Sequence, residues 1–194
     1  MPPLTYLDGT LDATLRRRVL AAGVDQLAAS NIASFRLEAV AARAGVELDL
    51  VKQIWPSGPD LFVAMLEDFA ERHMPVPDTG TFRGDLLEYA RSYALMVNTP
   101  TGRRMLDALL VKPQDWDLSD SRAVFLDYRV ARIGPLVQRA IERGECPDGT
   151  DPALTIDMLA IGLCLPVLLY DRPITDEHCQ YVVRTLLNGI TGKH

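Results

Sequence analysis

The sequence predicts an all-α fold of about nine helices, and three observations lead there. Apolar residues recur at spacings of three and four along nearly the whole chain, the period of a helix with one buried face. No run of four to eight residues alternates apolar and polar between turn signals, as a half-buried strand would. Proline and glycine clusters then cut the periodic chain into pieces of helical length. Of 194 residues, 48% are hydrophobic and 24% charged, which supplies a packed core and argues against disorder.

The first helix is carried by Leu11, Leu15, Val19, Leu20, Gly23, Val24 and Leu27, and Asn31 can end it. A short second helix over 37–44 turns Leu37, Val40, Ala41 and Ala44 to one side and stops at Gly45, which adopts a left-handed conformation cheaply. The third, over 48–55, places Val51 and Trp55 four apart on one face. Ser57 is a helix cap and Pro59 suits a first turn, so a fourth helix runs over 57–73 with Leu61, Phe62, Met65, Leu66 and Phe69 apolar. Pro75, Pro77 and Asp78-Thr79-Gly80 make the clearest break. Beyond it the pattern predicts helices over 82–98, 101–111, 119–143, 152–170 and 176–188. Pro166 is expected to kink the penultimate one.

Charge narrows the function classes. Twenty basic against 26 acidic residues give a net charge of −6, which excludes a uniformly basic nucleic-acid coat, so any DNA contact must come from a local patch. Residues 11–56 hold six basic side chains (Arg16, Arg17, Arg18, Arg36, Arg43, Lys52) and five acidic ones (Asp12, Asp25, Glu38, Glu47, Asp49), net +1, leaving −7 elsewhere. Cys146, Cys164 and Cys179 form no CxxC pair and read as free thiols of a reducing cytoplasm. Residues 1–10 have neither the basic nor the apolar region of an export signal. The longest apolar run, 158–170, has 13 residues against the ~20 that span a bilayer, so it is expected between helices or between subunits.

Nothing in the sequence supports catalysis, a cofactor or a metal. There is no GxSxG, no phosphate-cradling glycine loop and no dinucleotide fingerprint. No Glu precedes a His by three residues, and His73, His178 and His194 lie far apart. Asp176-Glu177-His178 looks like a metal cluster but stands at a helix start, where acidic residues favour the dipole. Cys164 has no neighbouring base and reads as a small core residue.

Three short helices, the second and third joined by a glycine turn, have the outline of a helix-turn-helix, in which 37–44 braces and 48–55 enters the major groove. With Val51 and Trp55 turned inward, Leu48, Asp49, Lys52 and Gln53 face outward or sit at the edge. Lys52 and Gln53, with Ser34 and Arg36 at the bracing helix, are candidates to hold the DNA backbone. Leu48 or Leu50 suits a thymine methyl, and Asp49 a cytosine amino group. Burial of Leu48 and Leu50 is the competing reading.

The run from Arg18 to Gly23, the segment Leu37-Glu-Ala-Val-Ala-Ala-Arg-Ala-Gly-Val46 and the turn Trp55-Pro-Ser-Gly-Pro-Asp-Leu-Phe62 resemble the N-terminal domain of the tetracycline-repressor-like (TetR) regulators over about residues 11–73. The remainder resembles the family in layout. The chain departs from the family pattern at Arg36, Glu47, Lys52, Ile54 and Gly58. The resemblance implies a homodimer built on the last two helices, a small-molecule pocket in the C-terminal part, and release of a palindromic operator on effector binding. It implies a DNA-binding domain over 1–53 and an effector and dimerisation domain over 54–194, linked by helix 57–73.

Tyr89, Tyr93, Met96, Met105, Trp116, Phe125, Tyr128 and Met158 are the candidates to line a largely apolar effector pocket, with plain core packing as the alternative for each. Leu159, Leu163, Val167 and Tyr170, with Val182 and Leu186, are the candidates for a subunit interface, unless one subunit covers them itself. A helical dimer that no longer binds an operator, acting as a ligand carrier or interaction module, is the alternative function.

Overall fold

A computed structural model of the chain describes residues 9–110 and 119–191, with side chains over 13–109 and 123–190. In chain order it contains α1 (Gly9–Ala29), a 3-10 turn (Ile32–Ser34), α2 (Leu37–Ala44), α3 (Leu48–Ile54), α4 (Gly58–His73), α5 (Phe82–Val97), α6 (Pro100–Leu110), α7 (Ser119–Glu142), α8 (Pro152–Tyr170) and α9 (Asp176–Thr191). There is no strand among the described residues, so the all-α expectation holds.

The predicted stops act through named hydrogen bonds. Gly45 stands at φ 63°, and the amide of Val46 donates to the Ala41 carbonyl at 3.0 Å, closing α2. Ser57 caps α4: its Oγ accepts from the Asp60 amide at 3.3 Å, and Asp60 Oδ2 accepts from the Ser57 amide at 3.0 Å. At α8, Asp151 Oδ1 accepts from the amides of Ala153 and Leu154 at 2.8 and 3.2 Å. The 3-10 turn was not foreseen. Asn31 does more than follow α1, because its Oδ1 accepts from the Ser34 amide at 3.2 Å and starts that turn.

The packing divides into a small head, α1 to α3, and a bundle, α5 to α9, whose α6 also lies against α1. α4 touches α1 on one side and α5 and α7 on the other. Phe35, Val40 and Val51 fill the head with Leu61 and Phe62 from the start of α4, all nearly or wholly buried. α5 lies centrally in the bundle, against α6, α7, α8 and α9.

The connector between α4 and α5 is held by a buried ionic cluster that periodicity does not reveal. Asp85, fully buried, accepts from the Thr79 amide at 2.6 Å and its hydroxyl at 2.7 Å. Its other oxygen lies 3.6 and 3.5 Å from the guanidinium groups of Arg139 and Arg143 on and just after α7. Arg139 also donates to the Pro77 carbonyl, and Glu145 accepts from Arg143 and from the Phe82 amide. The Glu145 carboxyl is thereby held below its ordinary range; burial opposes the shift, but the Phe82 amide and Arg143 prevail.

The helix that holds the apolar run 158–170 is longer than that run. α8 spans 19 residues and runs through Pro166, so by length and composition it is long and apolar enough to cross a bilayer. Its packing speaks otherwise, because α8 lies against α5, α7 and α9 within the bundle.

Where α5 turns into α6 the chain comes so close that only glycine fits: a Cβ on Gly102 would lie 2.0 Å from the Met96 carbonyl oxygen. Gly102→Ala is therefore expected to lower stability by about 2 kcal/mol. Urea unfolding should show an earlier midpoint at an unchanged slope.

Candidate functional site

The head presents α3 as the sequence predicts. Val51 is 1% exposed and Trp55 4%, so both anchor the helix to the core, whereas Asp49, Lys52 and Gln53 on the same short helix are exposed. Leu48 and Leu50 are both half-buried, but only Leu48 packs on the core cluster. Of the two, Leu50 is the freer to meet a base.

The basic residues of the head are not equivalent. Arg18 donates to the carbonyls of Ala44 and Gly45, so it ties α1 to the α2–α3 turn and satisfies acceptors at the end of α2. The guanidinium of Arg16 lies over the Trp55 ring, 5.7 Å from its centroid. Arg36 is exposed but donates to the carbonyls of Ala33 and Phe35, each at 2.9 Å. The Ser34 hydroxyl is bonded to the Asn31 carbonyl at 3.1 Å within the 3-10 turn. Lys52 Nζ lies 3.9 Å from Glu38, with both side chains about half exposed or more, a pairing that water screens almost completely. Arg17 and Arg43 are exposed and make no ion pair or hydrogen bond among the described residues. They were not among the predicted contacts, because counting charge says nothing about which cations the fold already uses.

A second candidate site lies where α4 meets α5 and α7. It is a narrow cleft lined by Ala70, Glu71 and Met74 of α4 and its end, Val76, Tyr89 of α5, and Tyr128, Arg129, Arg132 and Ile133 of α7. At its rim the Tyr128 hydroxyl donates to Glu71 Oε1 at 2.9 Å, and Arg132 Nε stands 3.4 Å from the same oxygen. Deeper in, Arg129 donates to the Tyr89 hydroxyl at 2.5 Å and lies over the rings of Tyr89 and Phe125, 5.8 and 5.9 Å from their centroids.

The electrostatics follow burial. The Tyr89 and Tyr93 hydroxyls are pushed up by desolvation, with Arg129 pulling Tyr89 partly back. Tyr128 is pushed up to about 12 by desolvation and its bond to Glu71, so it stays protonated and donates. One turn before Glu71, the Glu67 carboxyl is raised by burial, with Arg16 opposing and Glu71 adding.

The predicted pocket residues separate into groups. Tyr89 and Tyr128 line the cleft, and Phe125 stacks behind it on Arg129. Tyr93, Met96 and Met105 are buried core and do not line it. Trp116 lies outside the described residues. Met158 belongs elsewhere: it is 63% exposed on α8.

The apolar face of α8 also differs from expectation. Leu159, Leu163 and Val167, predicted at a subunit interface, are at most 4% exposed and pack inside the subunit. The uncovered stripe is Leu154, Met158, Ile161, Leu165 and Leu169, between 44% and 65% exposed, with Tyr170 and Tyr181 beside it. The predicted Val182 and Leu186 of α9 are half-buried, and Val182 sits over Gly162, where an added Cβ would approach within 2.8 Å. A helix apolar on every side does not announce which face its own subunit takes, so of the α8 residues predicted at the interface only Tyr170 is exposed.

The remaining reactive groups are occupied. Asp176 accepts from Arg91 at 2.6 Å and from Gln180 at 2.6 Å. His178 Nε2 bonds the Gly162 carbonyl at 2.8 Å. The Cys164 and Cys179 thiols are buried and pushed up by desolvation, away from nucleophilic chemistry. Among the described residues no three His, Cys, Asp or Glu side chains come together as a metal site.

Known proteins match this geometry over most of the chain. A family model described as the tetracyclin repressor-like C-terminal domain matches residues 76–186, more than half of the sequence. The HTH-type transcriptional regulator AqdR of Rhodococcus erythropolis is 26% identical over 144 residues, 74% of this chain and 70% of its own length. The HTH-type regulator YdeS of Bacillus subtilis (strain 168) is 21% identical over 180 residues, 92% of this chain and 91% of its own. The crystal structure of the TetR family transcription regulator SCO0332 superposes with a TM-score of 0.73 at 27% identity, covering 91% of this chain and 98% of that one. The multidrug binding protein EbrR complexed with ethidium gives 0.65 at 23% identity, covering 89% and 97%.

Proposed function

The chain belongs to the tetracycline-repressor-like family of helix-turn-helix transcriptional regulators, and from that premise we propose a homodimeric repressor that a small, largely apolar molecule releases from a palindromic operator. It is a ligand-responsive DNA-binding regulator. In the proposed division, residues 1–53 bind DNA, 54–194 carry the effector site and the dimer contact, and α4 links them. No catalytic step belongs to this reading, and the cytoplasm is its place of action.

The observation that carries the reading is the split across α3: Val51 and Trp55 buried, Asp49, Lys52 and Gln53 exposed. A reading helix needs both, since a loosely held one loses orientation and a fully packed one has nothing to offer a groove. Asp49, Leu50 and Gln53 are the proposed base-reading residues, with Lys52, Arg17 and Arg43 on phosphates. Ser34 and Arg36 are assigned to shaping the bracing helix. The exposed α8 stripe supports the dimer, since a contiguous apolar face of that length marks an interface. Small-molecule release is supported by the cleft at the end of α4, and ethidium in the similarly folded EbrR gives a precedent of fold alone. A ligand that widens the cleft moves α4, changes the spacing of the two heads and so shifts the population away from the DNA-bound form. The alternative of a dimer without operator binding is not favoured, because the head keeps its exposed polar face.

Lys52→Ala tests the assignment. Because Lys52 is only weakly paired, its loss should weaken DNA binding and flatten the dependence of log affinity on log salt by about one phosphate contact. Fluorescence anisotropy over a series of salt concentrations reads it; an unchanged slope removes Lys52 from the phosphate contacts.

A further inference from the structure

Arg129 is the least explained charge in the bundle. Its Nε is buried with no hydrogen-bond partner, and none of its nitrogens lies within ion-pair distance of a carboxylate among the described residues. Among the described residues it bonds to a neutral phenol, Tyr89, and its flat faces lie over Tyr89 and Phe125. A cation taken out of water without a counter-charge is costly, and a guanidinium is shaped to take a carboxylate two-handed. The rim of the same cleft already shows what such a group would meet: Glu71 holds the Tyr128 hydroxyl at 2.9 Å and Arg132 at 3.4 Å. Glu71 belongs to α4, which with α6 reaches the head, while Tyr128, Arg129 and Arg132 all belong to α7.

We propose that the cleft recognises an organic carboxylate with an apolar body, whose acid group meets Arg129 and takes over the Tyr128 and Arg132 contacts now held by Glu71. This rests on the ligand-responsive reading above and names the chemical class of its effector. The exchange couples binding to motion, because the incoming acid unfastens α4 from α7 at Glu71. The cleft holds little free space behind its rim, so a ligand of this kind requires the Glu71 latch to open. The walls at Met74, Val76 and Ile133 take the apolar body.

The test uses isothermal titration of the full chain with benzoate, 1-naphthoate and octanoate, each against its neutral amide. At least one acid should bind about tenfold or more tightly than its amide, the worth of one charge-assisted contact. Arg129→Met should remove that preference, and Glu71→Gln should tighten acid binding several-fold by disarming the internal competitor. Thermal unfolding confirms that each variant is folded; if Arg129→Met is not, the Glu71→Gln gain decides alone, since a merely structural Glu71 gives none. Acids that never outbind their amides, or acid binding unchanged in Glu71→Gln, overturn the proposal. DNA binding measured on the acid-free protein separates the two levels: DNA binding without acid preference refutes the effector class only, whereas acid preference in a protein that binds no DNA without acid refutes the regulator reading.

Discussion

Met158→Asp combined with Ile161→Asp should turn the dimer into a monomer and lower affinity for a palindromic duplex at least about 100-fold. The two side chains sit 63% and 64% exposed in the middle of the α8 stripe, where the proposed two-fold contact would bury them. Four carboxylates, two from each subunit, would then have to enter one apolar contact without partners, at a large desolvation cost. Once the subunits part, each head binds alone and the gain from linking two half-sites, commonly 10²- to 10⁴-fold, is lost. Sedimentation velocity reads the first effect and anisotropy the second. Leu95→Asp is the matched control, an apolar residue 75% exposed on α5 and outside the stripe, and should change neither.

The second large effect is on stability. Asp85→Leu should cost about 3 kcal/mol, the low end for removing one side of a buried ion pair, because Arg139 and Arg143 keep 29% and 28% exposure and recover some hydration. For a chain of this length that corresponds to a fall in Tm of about 6–12 °C. Asp85→Asn retains an oxygen for Thr79 but loses the charge facing the two arginines, so it should fall between Leu and the natural residue. Scanning calorimetry orders the three. A Leu variant as stable as the parent would mean that the two arginines lose nothing when Asp85 is absent.

The fold was legible because its signals are local. Helix periods, the Ser57 cap and the Gly45 turn each act within a few residues of where they are written, and they place α2 and α4 to within a residue. The face of α3 was legible for the same reason, since Val51 and Trp55 are one turn apart. What escaped depends on partners distant in sequence. Arg18 enters the sequence only as one of six basic residues of the head, yet it spends its charge on carbonyls 26 and 27 residues away. The Asp85 cluster joins residues from 77 to 145 through hydrogen bonds that leave no periodic trace. Arg129 went unnoticed because one arginine among seventeen carries no mark until its surroundings are seen, with no carboxylate at ion-pair distance among the described residues. The outward face of α8 escaped for another reason: with no polar side to orient the helix, the choice between Leu163 and Ile161 as the outward residue belongs to α5, α7 and α9.

Hydroxyl-radical footprinting on the DNA that flanks the protein's own coding region bears most directly on the central claim of two α3 heads held by one symmetric base. Two protected patches should appear, related by a dyad and about 34–36 Å or a multiple of it apart, and at low salt both should be weaker in the Lys52→Ala protein. A single patch, or uniform protection indifferent to Lys52, would contradict it.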